Sequence, residues 1–467
     1  MKLLLKNHIE ITEIDPLERE FIELSCTHDN PKYEEARRQN RYTGKIPREI
    51  KTFERVGDAL IVPIGLLSEL EDGVFDNEPT DRQKMDPDFV QDPGLWPEIV
   101  DERNQHPVEI PFTGELRNYQ QVFVEGALFL ECGVLVAATG AGKTVSAIAL
   151  AARLGQRTLI LVKSIVLAIQ WKNAIKQFTG LDAGQIGGNT KHTEGAQFTI
   201  GIVQTLINRD CSLLDYGLVI ADECHNAPAS QFYQVLNQLN ARYKYGLSAT
   251  PQRRDSLEFM IFAALGEISA VIEEDQLCGK VLPVEVRTME IAFDDEVSDW
   301  NGFINILIDD NYRNSLIIRL AQEQTRPTLI LCAQVRHCEL LTTMAQEAGL
   351  EPLLIHGQLP AKLRTERMAL AHSASLVIGT AQFLSEGVDV PSLEVLIFAA
   401  PMSAVIDKEG SPAATKLIQS IGRCRRPYPG KVRAKVIDIV DQCGFGIAAY
   451  NKRRQIYALQ GFGVCYD

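Results

Sequence analysis

The sequence predicts an α/β protein with two parallel-sheet domains and an additional small N-terminal α+β region. Two observations carry this prediction. Short apolar runs alternate with helical patterns in two series, Val134 to Thr250 and Pro327 to Asp441, which is typical of doubly wound sheets. The chain also has 467 residues, more than one hydrophobic core usually serves, so two or three domains are expected. We expect an accessory region with an acidic linker at 1–105, a first domain at 106–276 and a second at 284–467.

Composition sets broad limits on the class of protein. The residues are 45% hydrophobic and 23% charged, as in ordinary soluble proteins, and no apolar run approaches the ~18 residues of a membrane span. The N-terminus also lacks the apolar segment of a signal peptide, so we expect a cytoplasmic protein. The ten cysteines include no CxxC pair, and neither a disulfide framework nor a zinc site is indicated.

The net charge of −14 is unevenly distributed along the chain. Residues 1–110 hold 14 Lys and Arg against 25 Asp and Glu, whereas the remaining residues hold 33 against 36. A nearly neutral body can still bind phosphates through backbone amides, hydroxyls and a local basic groove. The charge therefore does not exclude nucleic acid as a partner.

The N-terminal region is predicted to be folded up to about residue 65, with strand-like runs such as Ala59 to Ile64. Eight basic residues are spaced along the segment from Lys32 to Arg55, with aromatic residues among them. Such a segment is either a nucleic-acid contact or a solvated helix face, and both interpretations stay open. From Glu69 to Gln105 the sequence is acidic and rich in Pro, Asp and Asn, which predicts a linker or a long surface excursion.

The segment from Val134 to Leu150, VLVAATGAGKTVSAIAL, predicts a strand, a tight loop and a helix. This is the setting of a phosphate-binding loop, in which backbone N–H groups and the helix N-terminus converge on one centre. Lys143 would reach the outer phosphates and the Thr144 hydroxyl would bind Mg²⁺. The predicted nucleotide-binding residues of this loop are Thr139, Gly140, Ala141, Gly142, Lys143 and Thr144.

Residues before and after this loop are predicted to bind Mg²⁺, to activate water and to contact the adenine of a nucleotide. Asp222 and Glu223 come at the carboxyl end of an apolar strand, where open α/β sheets keep their active sites. There Asp222 can hold Mg²⁺ through water, and Glu223 can orient and deprotonate an attacking water. A buried strand followed by a helix is predicted at Arg157 to Trp171, and further strands at Phe198 to Leu206 and from Lys244 towards Ser248. The hydroxyls of Ser248 and Thr250 could relay changes at the nucleotide, and Gln120, near Arg117, offers the donor and acceptor that suit the paired edge of adenine.

The second series has no phosphate loop of its own. Between Leu277 and Arg326 the sequence predicts a polar, acidic stretch and a helical segment. Later, Gln419, Arg423 and Arg426 are predicted to share a helix that presents two guanidiniums on one face. They would suit the γ-phosphate of a nucleotide held by the other domain, or would form a basic surface helix. The five apolar strands predicted here lie within Pro327–Gln334, Glu351–Gln358, Ser375–Gln382, Leu393–Pro401 and Arg433–Asp441.

Taken in order, these motifs resemble those of the superfamily 2 helicases and translocases. The resemblance runs from Leu116 to Arg426 through LRNYQ, AATGAGKT, LVKSIVLAIQW, IVQTL, ADECH, LSATP, LILCAQ, IGTAQFLSEGVDVP and QSIGRCRR. Within the superfamily, DECH followed by GLSATPQRRD is most similar to XPB/Rad25-type and UvsW-type DNA helicases and to restriction-subunit ATPases. Cys224 departs from the Ala that is frequent in the family, and no family motif covers the acidic N-terminal region.

The resemblance implies two RecA-like domains with ATP in the cleft between them, and a role for each matching residue. Lys143 and Glu223 would be catalytic, Asp222 and Thr144 would bind Mg²⁺, and Gln419, Arg423 and Arg426 would reach across the cleft. Arg117 and Gln120 match the adenine-side motif, Gly387 and Asp389 would complete the cleft, and His225 would link hydrolysis to Ser248 and Thr250. The implied nucleic-acid contacts, mostly to phosphates and sugars, are Lys163, Ser164, Gln204, Thr205, His356, Gly357 and Thr380.

The predicted function is therefore that of an ATP- and Mg²⁺-dependent DNA helicase or translocase acting on single-stranded or branched DNA, in repair or recombination. Two alternatives stay open: an RNA helicase, and a double-stranded DNA translocase subunit of a restriction or defence complex. A scaffold without catalysis would be expected to lack Lys143, Glu223 or an arginine finger, and all are present. We expect a monomer that works with a nuclease or repair protein and without a membrane.

Overall fold

The structure is a computed structural model. It describes residues 1–68, 70, 98–138, 140–188, 190–192, 196–224, 229–249, 257–273, 276, 281–380, 390–402, 404 and 416–466. The chain divides into two compact units. The first contains Met1–Ala137 and Gly142–Ile272, and the second contains Ala138–Ala141 and Glu273–Asp467. Among the described residues, none of the helices combines the length and the apolar character that a membrane span requires.

The first unit begins with a small α+β region. Its five-stranded sheet has the order β5-β6-β2-β1-β7, and β3 and β4 form a separate antiparallel pair. Alternate apolar residues of its strands are buried, among them Leu3, Leu5, Ile9 and Ile11. Its elements are β1 (Lys2–Leu5), β2 (His8–Thr12), α1 (Pro16–Ser25), β3 (Thr27–Asp29), α2 (Pro31–Arg38), β4 (Glu49–Lys51), β5 (Glu54–Val56), β6 (Ala59–Pro63) and β7 (Glu98–Asp101).

The end of the predicted acidic linker is structured. Glu98–Asp101 forms β7, which pairs in parallel with β1, Lys2 opposite Glu98. All four residues of β7 are exposed, so the strand has no buried apolar pattern, and its hydrogen-bond partner lies at the far N-terminus of the chain. The prediction of a linker was therefore wrong at this point. Residues 69 and 71–97 of the predicted linker lie outside the described residues.

The N-terminal region packs directly against the α/β part of the first unit. Gly65 lies directly against the backbone of residues 262–266. A β-carbon on Gly65 would be 2.3 Å from Phe262 O and 2.4 Å from Gly266 N. The rings of His28 and Phe259 stack with centroids 4.1 Å apart. These contacts join the accessory region and the first α/β sheet into one compact body.

The α/β part of the first unit contains an eight-stranded sheet with the order β11-β10-β12-β9-β13-β14-β8-β15. Only the edge pair β10–β11 is antiparallel within the described sheet; every other pair is parallel. The strands are β8 (Cys132–Ala137), β9 (Thr158–Val162), β10 (Gly184–Gly187), β11 (Thr190–His192), β12 (Phe198–Ile202), β13 (Leu218–Ala221), β14 (Tyr243–Ser248) and β15 (Ile268–Ile272). The helices are α3 (Asn118–Ala127), α4 (Lys143–Leu154), α5 (Ile165–Thr179), α6 (Val203–Leu206), α7 (Ala229–Leu236) and α8 (Glu258–Leu265).

The second unit contains a seven-stranded sheet in which all pairs are parallel, with the order β18-β19-β17-β20-β21-β16-β22. The strands are β16 (Val284–Ile291), β17 (Thr328–Cys332), β18 (Pro352–Ile355), β19 (Leu376–Thr380), β20 (Val395–Phe398), β21 (Ala434–Asp441) and β22 (Gly463–Tyr466). The helices are α9 (Trp300–Asp309), α10 (Asn311–Gln322), α11 (Val335–Glu347), α12 (Ala361–Leu370), α13 (Lys416–Cys424) and α14 (Gly444–Leu459).

These two parallel sheets and the small N-terminal sheet confirm the predicted fold class. All five strands predicted for the second series are present. The strand β16 was missed, because Val284–Ile291 falls in the stretch that was predicted to be polar. Charged residues alternate with buried ones along β16, so it does not show the continuous apolar run that is usual for a central parallel strand.

Candidate nucleotide-binding site

The phosphate loop follows β8 and leads directly into α4. Gly140 and Gly142 have φ of +92° and +86°, in the left-handed region where a β-carbon is disfavoured. The helix begins at Lys143, so its first N–H groups have no partner within the helix and point out of its N-terminus. The predicted strand, loop and helix are therefore present, while Thr139 lies outside the described residues.

Two side chains approach this loop from within the first unit. The ammonium of Lys143 donates to Ala137 O at 3.1 Å, which holds it at the end of the strand. Gln120, at the start of α3, is only 4% exposed, and its Nε2 would lie 2.4 Å from a β-carbon at Gly142. Its Oε1 accepts the N–H of Arg117 at 3.0 Å. The structure thus brings Gln120 to the phosphate loop, and the backbone at 142 favours glycine.

Asp222 lies at the carboxyl end of β13, two strands away from β8 in the sheet. Its Oδ2 accepts a hydrogen bond of 2.8 Å from Nε1 of Trp171, an indole that is 2% exposed. Burial, and then the charge of Glu223, raise the pKa of Asp222 to about 6, although the Trp171 hydrogen bond, the Lys143 ammonium and a backbone hydrogen bond from Glu223 lower it. The carboxylate is therefore held in an environment that disfavours its charge.

Trp171 received no role from the sequence, although it ends the family-like segment LVKSIVLAIQW. Its hydrogen bond joins residues that are 51 positions apart, and such a contact leaves no local pattern.

Glu223 and Cys224 continue the chain after Asp222. Glu223 has a φ of +51°, which is uncommon for a residue with a side chain and costs roughly 1–2 kcal/mol. The N–H of Cys224 donates to Leu247 O of β14 at 3.1 Å. A β-carbon at Gly246 would lie 3.0 Å from the Cys224 sulfur, so the cysteine occupies space that glycine leaves open. His225 lies outside the described residues.

Ser248 is the last residue of β14 and is fully buried. It is paired in register with Val136 of β8, so it lies between the strand that carries the phosphate loop and the strand that carries Asp222. Thr250, its predicted coupling partner, lies outside the described residues.

The predicted nucleic-acid contacts of the first unit follow two neighbouring strands. Lys163 and Ser164 come directly after β9, and the Ser164 hydroxyl accepts from Leu167 N at 3.3 Å, which caps α5. Gln204 and Thr205 lie in α6, directly after β12. Because the carboxyl ends of parallel strands meet at one edge of a sheet, these residues share an edge with the phosphate loop and Asp222.

The predicted contacts of the second unit also lie at strand ends. His356 and Gly357 follow β18, and Thr380 ends the adjacent strand β19. His356 is 5% exposed, burial lowers the pKa of its imidazole, and its Nδ1 has no hydrogen-bond partner among the described residues. Gly357 O accepts from Arg364 at 3.2 Å.

The arginine helix differs from its prediction. Gln419 and Arg423 lie in α13, but the helix ends at Cys424, so Arg426 belongs to the segment that follows. The two guanidiniums therefore do not share one helical face. Burial lowers the pKa of Arg426. Gly387 and Asp389 lie outside the described residues.

The donor atoms of the first unit fit a nucleotide with Mg²⁺. The hydroxyl of Thr144 and the carboxylate of Asp222 are hard oxygen donors of the kind that Mg²⁺ prefers, and this ion usually takes only one or two protein ligands beside phosphate and water. The Lys143 ammonium lies close enough to Asp222 to lower its pKa, which places the two groups at one site.

Two protein-family models match the chain. The model described as "Type III restriction enzyme, res subunit" matches residues 113–253, and that described as "Helicase conserved C-terminal domain" matches residues 312–427. The first match covers the phosphate loop and Asp222, and the second covers α13.

Individual proteins and structures are also similar. The "Probable helicase D10" of Escherichia phage T5 is 27% identical over 390 residues, 80% of this chain and 82% of that protein. The "DNA 3'-5' helicase XPB" of Mycobacterium tuberculosis is 26% identical over 386 residues, 77% of this chain and 66% of that protein. The fragment structure of a putative HsdR subunit of a type I restriction enzyme from Vibrio vulnificus YJ016 matches with a TM-score of 0.55 at 18% identity, over 76% of this chain and 69% of that one. That structural match is evidence for the fold alone.

Proposed function

We propose that this chain, which belongs to the superfamily 2 helicases, is an ATP-dependent DNA helicase or translocase that moves along branched DNA and remodels or unwinds it in repair or recombination. The observation that carries the proposal is the arrangement at one edge of the first sheet. There the glycine loop before α4, the Lys143 ammonium and the buried Asp222 carboxylate lie together. A glycine loop at a helix N-terminus, beside an ammonium and a metal-binding carboxylate, suits the phosphates of a nucleotide.

Each residue of this edge has a proposed task in ATP hydrolysis. The loop residues 139–144 hold the phosphates, with Lys143 on the outer ones, and Gln120 and Arg117 lie on the adenine side. Thr144 and Asp222 hold Mg²⁺, which neutralises phosphate charge when it is bound. Glu223 orients the attacking water and takes its proton, because its backbone places it directly after the metal-binding carboxylate.

The second unit is proposed to respond to the nucleotide. Arg423 and Arg426, with Gln419, would stabilise the charge that develops on the γ-phosphate, and Gly387 and Asp389 would complete the pocket. His225, Ser248 and Thr250 would transmit hydrolysis to the nucleic-acid surface. The position of Ser248 between β8 and β13 supports this task. Alternate closing and opening would then move a bound strand in steps.

The proposed track is a nucleic-acid backbone, bound by Lys163, Ser164, Gln204, Thr205, His356, Gly357 and Thr380. Their positions at the carboxyl ends of β9, β12, β18 and β19 support this. The relative from Mycobacterium tuberculosis is named a DNA helicase, and we propose DNA as the track. Contacts of this kind go mainly to phosphates and sugars and carry little sequence preference.

We further propose that the chain is organised as an accessory region at 1–105, a first domain at 106–276 and a second at 284–467, and that the accessory region recognises DNA structure. All of its basic residues between Lys32 and Arg55 are exposed. Arg55 is held by the Glu23 carboxylate, and Lys51 lies 5.4 Å from the centre of the Phe53 ring. An exposed basic segment on a rigid body suits a phosphate backbone.

The test is ATP turnover by the full chain with no nucleic acid, single-stranded DNA, duplex DNA, forked DNA and RNA, together with strand displacement on forked DNA. We expect strong stimulation by single-stranded or forked DNA and loss of turnover in Lys143→Ala. The matched control is Lys176→Ala, since Lys176 is an exposed lysine of the same unit that pairs with Asp182 at 2.9 Å.

The other outcomes separate the alternatives. Stimulation by RNA alone would assign the protein to the RNA helicases, and stimulation by duplex without strand displacement would indicate a double-stranded DNA translocase. Equal turnover in every arm would contradict the proposal. In the same assay, Arg37→Gln/Arg38→Gln/Arg41→Gln should reduce the preference for forked over single-stranded DNA, and an unchanged preference would refute the task proposed for the accessory region.

A further inference from the structure

Trp171 is a buried indole whose only polar atom is committed to the proposed metal-binding carboxylate. The side chain is 2% exposed and is among the largest fully buried ones of the described chain. Its Nε1 donates to Asp222 Oδ2 at 2.8 Å, and both groups are buried. An apolar ring could fill space in a core without needing a polar partner, whereas an indole N–H requires one. The choice of tryptophan therefore indicates that the hydrogen bond itself matters.

The carboxylate of Asp222 would otherwise be poorly controlled. It is 9% exposed and its charge is opposed by burial and by Glu223. The terminal torsion of an aspartate is broad and roughly two-fold, so a carboxylate without a fixed donor can rotate. The backbone of Glu223 also donates to this carboxylate, but among the described residues only the indole of Trp171 does so from a separate element, and it engages Oδ2.

The helix that carries Trp171 is itself firmly placed. The Ser164 hydroxyl caps α5 at its N-terminus, and Leu167, Ala168 and Ile175 of α5 are buried. Asp222 is fixed from its own side by its N–H, which donates to Leu161 O at 2.9 Å. Donor and acceptor thus sit on separate rigid elements, α5 and the end of β13, and the hydrogen bond sets the orientation of the carboxylate between them.

We propose that Trp171 is a positioning residue for the metal site: its indole N–H holds Asp222 so that Oδ1 faces the Mg²⁺ that accompanies the nucleotide. This rests on the function proposed above. Groups that orient a metal-binding side chain in this way typically contribute 10- to 100-fold to metal affinity or activity.

The experiment measures nucleotide binding without turnover. A fluorescent ADP analogue is titrated into the full chain with Mg²⁺ and, separately, with EDTA, for the wild type, Trp171→Phe and Trp300→Phe. Phenylalanine retains an aromatic ring but has no N–H donor, and Trp300 is a half-exposed tryptophan of the second unit. We expect Trp171→Phe to bind as the wild type does in EDTA and to lose roughly tenfold of the gain that Mg²⁺ provides. Trp300→Phe should behave as the wild type in both conditions.

Two further variants separate the hydrogen bond from the shape of the ring. Benzothienylalanine at position 171 has the shape of tryptophan with sulfur in place of N–H, so it should reproduce the defect of Trp171→Phe even if phenylalanine disturbs folding. Trp171→His restores an N–H on a smaller ring and should recover part of the Mg²⁺-dependent gain.

The outcomes distinguish the inference from the function on which it rests. An intact Mg²⁺-dependent gain in the benzothienyl protein would overturn the inference, and so would an equal loss with Mg²⁺ and with EDTA, which would indicate packing. If the wild type binds no nucleotide in either condition, the proposed function itself fails.

Discussion

Two buried ion pairs of the second unit contrast with the buried carboxylate of Asp222 in the first unit. In the second unit, Arg313 is fully buried and its Nε lies 2.8 Å from Asp441, and the buried Arg453 lies 2.9 Å from Asp438. Each of these two buried arginines has a carboxylate partner. In the first unit, Asp222 is buried beside a second carboxylate, and its pKa is raised to about 6.

This difference separates scaffold from chemistry. Paired buried ions contribute little net stability, but removing one partner is strongly unfavourable because it leaves a buried charge alone. An unbalanced buried charge reduces stability in the free protein, and such groups cluster at sites that await a ligand or a reaction. The imbalance at Asp222 therefore coincides with the proposed nucleotide site, and the two balanced pairs belong to the frame of the second unit. The comparison predicts that removing a buried charge lowers the free energy of unfolding in the second unit and raises it in the first.

The largest effect is expected in the second unit. Arg453→Met should leave Asp438 buried without its ionic partner and lower the free energy of unfolding by about 3–5 kcal/mol. The neighbouring Arg454 is exposed, so Arg454→Met is a matched control that should change stability by no more than about 0.5 kcal/mol. Denaturant unfolding of both variants checks this, with hydrogen exchange to assign the loss to the second unit. Equal losses in the two variants would contradict the scaffold role of the pair.

A smaller effect of opposite sign is expected in the first unit. Asp222→Asn retains a side-chain oxygen that can accept from Trp171 but removes the unfavourable charge, and should raise the free energy of unfolding by about 1–3 kcal/mol, since one pKa unit corresponds to about 1.4 kcal/mol. ATP turnover should be lost at the same time. The exposed Asp182 provides the control Asp182→Asn, which should leave both stability and turnover unchanged.

The pH dependence of the stability difference between the wild type and Asp222→Asn tests whether the charge of Asp222 is its cause. The folded pKa of Asp222 is raised to about 6, above the ~3.9 of an unfolded aspartate. The folded state therefore takes up the proton first as the pH falls, and the wild type gains stability relative to Asp222→Asn between about pH 7 and pH 4. The difference in unfolding temperature should be largest above pH 7 and should vanish below pH 4. A constant difference across this range would show that charge is not the cause.

The same comparison explains which features were predictable from the sequence. The phosphate loop and the strand end at Asp222 were predictable because their signals are contiguous: an apolar run followed at once by Gly and Lys, or by Asp and Glu. The pairing of β7 with β1 and the Trp171–Asp222 hydrogen bond join residues that are far apart in the chain, so no local pattern announces them. The strand β16 was hidden for another reason, since its alternating charges look like a polar stretch. The residues that fix the geometry of the site were thus harder to find than those proposed to bind the nucleotide.

The smallest effect concerns the backbone at Glu223. Its φ of +51° is natural for glycine and unfavourable for other residues, so Glu223→Gly should be more stable than Glu223→Ala by about 1 kcal/mol, although both remove the carboxylate. The comparison of two uncharged variants isolates the backbone from the charge of Asp222.

A helical position of the same unit is the control for the difference in stability between glycine and alanine. Asn173 is exposed on α5, where glycine is less stable than alanine by about 1 kcal/mol, so Asn173→Gly and Asn173→Ala should show the reverse order. If glycine is the less stable choice at both positions, the backbone at Glu223 is not strained. If the order reverses as expected, strain and unbalanced charge coincide at the edge of the sheet where we propose that nucleotide and Mg²⁺ bind.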